Sequence, residues 1–270
     1  MMKFLKQFFD FYINASIHVA LAVYSLLRIT ERYVGLSYNE SLDYFIFYGT
    51  IVGYNFVKYA GVTEVYHGTK KTLKKIRLFS LISLGIMCYY GAHLSVATLA
   101  LFIPFGGLTL LYAIPFLSGF QKNLRSISYL KIIIVAIVWV GLTVVLPVFD
   151  KGALCTLNIG ILGVQRFLMI LILILPFEIR DVAYDEVSLQ TIPRKLGVEK
   201  TKKLGYALLL ITVLLEFIIA PNTAFRNAFL VVFLLQLFLL MRATVKQSTY
   251  YSSFFVESIP IIWWFILLWN

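Results

Sequence analysis

The 270-residue chain is 60% hydrophobic and only 14% charged, with a formal net charge of +11 and a mean hydropathy of +0.86. So much apolar surface has no polar shell to cover it in water, which excludes an ordinary soluble domain and implies an integral membrane protein. In such a chain a basic excess usually holds cytoplasmic loops in place, and no basic stretch here accompanies a soluble fold, so nucleic acid is not expected as a partner. Cys88 and Cys155 lie far apart without a CxxC partner, and neither a disulfide framework nor a zinc site is expected.

Met1 to Lys6 has the basic character of a signal-peptide start. Asp10 follows and no small-residue cleavage site does, so the stretch reads as a first anchor. Apolar runs long enough to cross a bilayer as helix centre on 11–29, 42–59, 76–92, 95–117, 130–149, 157–177, 204–220, 224–241 and 254–269. The boundary between the third and fourth, through Gly91 and His93, is weak and leaves an eight-span count open. Nine spans place the termini on opposite faces. Nineteen Lys and Arg then share one face and four, Arg28, Arg32, Lys151 and Arg226, the other, with Arg166 inside a span. The positive-inside rule puts the amino terminus in the cytoplasm and the carboxyl terminus outside. The expected location is the plasma (inner) membrane of a bacterium. The fold class is all-α, a single polytopic membrane domain over 1–270 with about nine transmembrane helices.

Two of the inside loops, 60–75 and 178–203, are longer than the others and carry most of the charge. They follow spans two and six, an offset of four helices that suggests duplication, although no sequence repeat accompanies it. The second begins Glu178-Ile-Arg-Asp-Val-Ala-Tyr-Asp185-Glu186, with five acids and bases in nine residues. If it continues the preceding helix, Glu178, Asp181 and Asp185 fall at i, i+3 and i+7 on one face. Carboxylates stacked in this way repel unless a cation neutralises them, and an all-oxygen cluster near a phosphate-bearing substrate suits Mg2+. The alternative is a solvated helix end whose acids carry no ligand.

Polar residues also fall at membrane depth, where they usually face a partner or a cavity. Asn14 and His18 share one face of the first span and are expected to hydrogen-bond between helices. Asn55, Gln165, Arg166, Glu216 and Gln236 lie inside other runs. Arg166 and Glu216 read either as a structural pair between spans six and seven or as cavity residues. His67 and His93 have no ligand partners in register. Trp263, Trp264 and Trp269 read as interfacial anchors.

Asp181-Val-Ala-Tyr-Asp185, then Thr191-Ile192-Pro193 and Leu196-Gly197, with Leu111-Tyr112-Ala-Ile-Pro115 after the fourth run, resemble the UbiA superfamily of membrane prenyltransferases over essentially the whole chain. The resemblance implies a helical bundle around a central cavity open to the lipid bilayer, with two aspartate motifs facing each other on the cytoplasmic side. It implies that Mg2+ bridges these motifs to an isoprenyl diphosphate, that the allylic C–O bond breaks, and that a lipophilic acceptor captures the carbocation-like carbon. Asp181 and Asp185 are then the catalytic and metal-binding carboxylates, with Glu178 as a third metal ligand. The first motif departs from the family pattern: it reads Asn55-Phe-Val-Lys-Tyr59-Ala-Gly-Val-Thr63, keeping asparagine and losing both aspartates, with Glu64 one residue further on. Asn55, Lys58, Lys122, Arg125 and Tyr112 are the expected substrate-binding residues, the cations compensating for missing metal charge. The alternative is a non-catalytic relative that binds an isoprenoid lipid or a partner protein in the same cavity. Transport lacks its usual inverted repeat.

Overall fold

The computed structural model describes residues 2–59, 70–114, 129–183 and 191–269. Helices dominate, as they must where lipid offers the backbone no hydrogen-bond partner. In chain order they are α1 (Met2–Asn14), α2 (Ile17–Val34), α3 (Glu40–Tyr59), α4 (Lys70–Gly91), α5 (Val96–Ala113), α6 (Leu130–Val140), α7 (Leu146–Asp150), α8 (Leu157–Asp181), α9 (Ile192–Leu196), α10 (Val198–Ile219), α11 (Thr223–Arg242) and α12 (Ile259–Leu268). A π-helical turn, Gly141–Val145, joins α6 to α7, and another, Tyr251–Val256, precedes α12.

Local chemistry sets several boundaries. The side chains of Ser95, Thr156 and Asn222 accept from the backbone N–H three residues on, at the starts of α5, α8 and α11. Gly35, at φ +73°, closes α2 in the left-handed conformation and donates its N–H to the Glu31 carbonyl. α4 ends at Gly91 and α5 begins at Val96, so the weak boundary is a real break, and the third and fourth runs are separate helices.

Among the described residues, five helical segments are long and apolar enough to cross a membrane: Val96–Ala113, Leu130–Asp150, Leu157–Asp181, Thr223–Arg242 and Tyr251–Leu268. The bent pair Leu5–Asn14 and Ile17–Val34, 57° apart, makes a sixth if taken as one span. The protein is an integral, multi-pass membrane protein. α3, α4 and α10 overlie the remaining predicted runs, 42–59, 76–92 and 204–220. Charged ends dilute them: α4 opens with Lys70, Lys71, Lys74, Lys75 and Arg77.

The long helices form a closed ring. α2 packs on α3, α3 on α5, α5 on α6, α6 on α8, α8 on α10, α10 on α11, α11 on α12, and α12 back on α2, while α4 lies against α3. Leu26, Leu27, Ile46, Leu146, Met169, Phe229 and Trp263 fill one part of the ring interior. At the end away from the 178–203 loop, Asp150 ties the bundle together: it accepts from Asn39 Nδ2 at 2.7 Å and from Thr98 Oγ1 at 3.0 Å. Arg28 pairs there with Glu31 and Asp43.

The buried polar residues are mostly committed to each other. Arg166 and Glu216, both fully buried, make no direct ion pair. Arg166 donates to the Leu26 carbonyl at 3.0 Å and stacks over Trp263, while Glu216 accepts from Tyr33 Oη at 2.7 Å and Gln165 Nε2 at 2.8 Å. The expected pair is therefore a pair of neighbours, each hydrogen-bonded to other groups, with Arg166 Nε left without a partner. Trp263 is correspondingly buried and is no interfacial anchor, unlike Trp269, which is 89% exposed. His18 does bond between helices: Nδ1 meets Tyr12 Oη at 2.8 Å and Nε2 the Phe254 carbonyl at 3.0 Å.

Candidate functional site

The ends of α3 and α8, with the start of α6, the α1–α2 bend and the π turn before α12, gather the polar residues that the packed core does not absorb. The bend itself is built from Ser16, whose φ of +61° leaves the helical range. Asn55 holds it in place. Its carbonyl oxygen accepts from Ser16 Oγ at 2.8 Å, and its amide donates to the Ala15 carbonyl at 3.1 Å and to Ser80 Oγ at 2.9 Å. Asn55 is 3% exposed, so the structure places it as a tie among α2, α3 and α4.

Three residues on, Lys58 is exposed at the end of α3 and donates to Ser16 Oγ at 3.0 Å. Tyr59, one turn along α3 from Asn55, donates to the Asn14 carbonyl at 2.9 Å. The end of α3 thus presents a tethered ammonium and a phenol engaged with backbone. Thr63 and Glu64 lie outside the described residues.

Across the ring, α8 ends at Asp181 with Val182 as its cap, so the described helix stops before the i+7 position. Asp185, Lys122 and Arg125 lie outside the described residues. Glu178 is 2% exposed and forms an ion pair with Lys131 Nζ at 2.6 Å. Its charge is met by an ammonium. Asp181 is partly open and accepts from Arg180 Nε at 2.8 Å through Oδ1. Among the described residues no three acidic, histidine or cysteine side chains converge on a metal-sized site. A site for Mg2+ built on Asp181 needs Asp185 from the segment that follows.

The same end is shaped by α9 and by Tyr112. Arg194 Nη2 donates to the Val182 carbonyl at 2.9 Å, fastening α9 to the end of α8, and Lys195 stands 4.8 Å from the centre of the Tyr129 ring. Tyr112, 8% exposed, lines a small cavity of about 110 Å³ with Tyr54, Val57, Thr109, Ile134, Val135, Val138 and Trp139. Trp139 Nε1 donates to Tyr54 Oη at 2.8 Å and sets the orientation of that phenol. A larger groove of about 610 Å³, lined by Tyr33, Thr156, Asn158 and Pro221 among others, opens at the opposite end and touches none of these residues.

Glu257 was not selected by the sequence reading, because it sits near the start of an otherwise apolar run. It follows the Tyr251–Val256 π turn and is half-buried. The π turn is bonded to α2 through His18 Nε2 and the Phe254 carbonyl, two residues from the Ser16 hydroxyl that Lys58 reaches; Lys58 and Arg180 act on the charge of Glu257, which acts in turn on the phenols of Tyr12 and Tyr54, the latter sharing a cavity with Tyr112. Lys58, Tyr54, Tyr112, Arg180 and Glu257 are therefore brought to one region. Its signal in the sequence was a carboxylate in a hydrophobic helix, the feature that already marked Glu216.

No family model matches the chain, and no curated protein matches it. Solved structures do. A UbiA homologue from Archaeoglobus fulgidus bound to Cd2+ superposes with a TM-score of 0.64 at 11% identity, over 96% of this chain and 99% of that one. The chain has the UbiA fold. The same homologue bound to GPP and Mg2+ gives a TM-score of 0.58 at 12% identity, over 97% of each chain. A structure of digeranylgeranylglyceryl phosphate synthase in membranes gives 0.57 at 12% identity, over 97% of this chain and 98% of that one. Within the UbiA fold the charged region described above lies between α3 and α8, the helices on which the two motifs were read.

Proposed function

We propose that the chain is a membrane prenyltransferase that moves an isoprenyl group from an isoprenyl diphosphate to a lipophilic acceptor. The observation that carries this reading is the full-length match of the bundle to UbiA homologues, with Asp181 at the end of α8 and Lys58 at the end of α3. Lys58 and Arg180 supply positive charge for the leaving diphosphate, on which negative charge accumulates as the allylic C–O bond breaks. The apolar wall of Tyr112, Val135, Val138 and Trp139 suits an isoprenoid chain and keeps water from the electron-poor carbon.

Asp181 has an oxygen to offer a metal, since Arg180 engages Oδ1, and with Asp185 it would hold a single Mg2+. When bound, that ion would neutralise diphosphate oxygens and so assist departure of the leaving group. Glu178 fits a metal poorly because Lys131 already pairs with it. Lys58, Lys122 and Arg125 are proposed to supply the remaining charge, with the charged loops on the cytoplasmic side. A second reading, a non-catalytic protein that binds an isoprenoid lipid or a partner, draws on one observation: Tyr59 is fastened to the Asn14 carbonyl where the family carries an aspartate.

The test is incubation of membranes containing the protein with labelled isoprenyl diphosphates, with and without magnesium. Magnesium-dependent release of diphosphate that is lost in Asp181→Asn and Asp185→Asn, at unchanged expression, is the expected result. Release that survives both changes would place the chemistry on another helix. No release from the wild type would favour the non-catalytic reading.

A further inference from the structure

The carboxylates at the α3–α8 end differ in how they are engaged. Glu178 is paired with Lys131 at 2.6 Å, Asp181 accepts from Arg180 at 2.8 Å, and Asp10 accepts from Tyr250 Oη. Glu199, on the exposed start of α10, lies 3.5 Å from Lys202. Among the described residues, Glu257 is the acid at this end that no hydrogen bond or ion pair engages through its side chain. It is nonetheless placed by the backbone: its N–H donates to the Ser252 carbonyl at 3.3 Å, closing the π turn that aims it. Such turns interrupt the regular ladder and are frequent at functional sites.

Its surroundings limit what it can do. Its charged neighbours among the described residues are two cations, Lys58 and Arg180, with no second carboxylate to share a metal ion. The same two cations suit the diphosphate. A carboxylate with free lone pairs beside the leaving-group cations and two phenols is instead arranged to take a proton.

We propose that Glu257 is the general base that removes the acceptor's proton during prenyl transfer, with Lys58 and Arg180 holding the diphosphate beside it. The proposal rests on the prenyl-transfer reading. The allylic carbon loses its bond to the diphosphate oxygen, which leaves with the electron pair. The acceptor's nucleophilic atom forms the new bond to that carbon and gives its proton to the Glu257 carboxylate. Products are the prenylated acceptor, diphosphate and a protonated Glu257, which returns its proton to water when the products leave. Acceptors of this class carry an acidic O–H, or an activated aromatic C–H whose proton is shed after attack.

The experiment uses membranes containing the full chain and labelled geranyl diphosphate, with label followed into the lipid extract. Binding of geranyl S-thiodiphosphate to the purified protein is measured in parallel. Glu257→Gln is expected to lower label incorporation by about 100-fold or more, the usual range for a lost general base. Analogue binding should stay within about twofold, and the acid limb of the pH–rate profile should vanish. Glu257→Asp should restore part of the rate together with that limb. Lys58→Met, by contrast, should weaken analogue binding. Incorporation in Glu257→Gln equal to wild type would overturn the proposal and leave the transfer reading standing. So would loss of analogue binding in that variant, which would make Glu257 a binding residue. Absence of incorporation by the wild type overturns the transfer reading and this proposal with it.

Discussion

Among the described glycines, Gly141, where α6 passes into its π turn, is the one most crowded against a single added carbon. A Cβ there would run into the Phe105 ring, with Cζ 2.5 Å away, against about 3.5–4.0 Å for carbons in ordinary contact. The ring must therefore retreat by about 1 Å or more, and Phe105 is packed against the main core on α5. Overpacking of this kind costs about 1–3 kcal/mol, while replacing glycine in a helix by alanine returns up to about 1 kcal/mol. Gly141→Ala should thus destabilise the fold by about 1–2 kcal/mol. Phe105→Leu should absorb the new methyl, so the double variant should be more stable than Gly141→Ala alone. SDS-titrated unfolding in mixed micelles, followed by tryptophan fluorescence, measures all four proteins. Wild-type stability in Gly141→Ala, or additive losses in the double variant, would refute the steric argument.

Three further outcomes follow from the same geometry. Lys131→Met leaves the Glu178 carboxylate buried without its ammonium and should cost about 3 kcal/mol in the same unfolding assay, with Lys131→Met/Glu178→Leu losing less than the single change. Tyr33→Phe removes the hydroxyl donor from Glu216 Oε1, and a loss of about 2 kcal/mol is expected; on a Glu216→Leu background it should cost little, and an equal cost there would mean that Tyr33 acts through packing instead. A topology reporter fused after Asn270 should lie outside the cytoplasm and one inserted near Thr69 inside, as the distribution of Lys and Arg requires; both reporters on one side would remove the nine-span reading.

The helical bundle was legible in the sequence because hydropathy acts over whole segments, and the described residues of the predicted runs are almost all helical, although five segments, or six with the bent pair, are long and apolar enough to span. The bend at Ser16 was not, since two short apolar helices and one long one share the same hydropathy. The carboxylate face was legible only in part. Composition placed Glu178 and Asp181 one turn apart, but it carried no sign that Lys131, 47 positions earlier in the chain, would claim Glu178. Asn55 was read as a substrate contact from its motif; its three hydrogen bonds belong to a helix junction that exists only once α2 and α4 have docked. Arg166 and Glu216 were brought near each other as their depth suggested, yet Gln165 and Tyr33 reached the glutamate, because direct pairing depends on rotation about each helix axis and depth alone does not set it.

The π turn at Gly141–Val145 makes the chain unequally tolerant of length changes. A π turn holds one residue more than the α-helical ladder around it needs, so deleting a residue there would let α6 run into α7 as uninterrupted helix. Because the wide turn absorbs that residue locally, α7 would keep nearly its present phase, whereas a deletion within the regular helix of α6 would rotate everything beyond it by about 100°. Asp150 lies only five residues past the turn, and its two oxygens are committed to Asn39 and Thr98 on different elements. A deletion within α6 would swing this carboxylate off both partners, whereas removal of the surplus residue of the π turn would leave it in place. Variants one residue shorter should therefore survive at Gly141–Val145 and be lost in the regular helix before it.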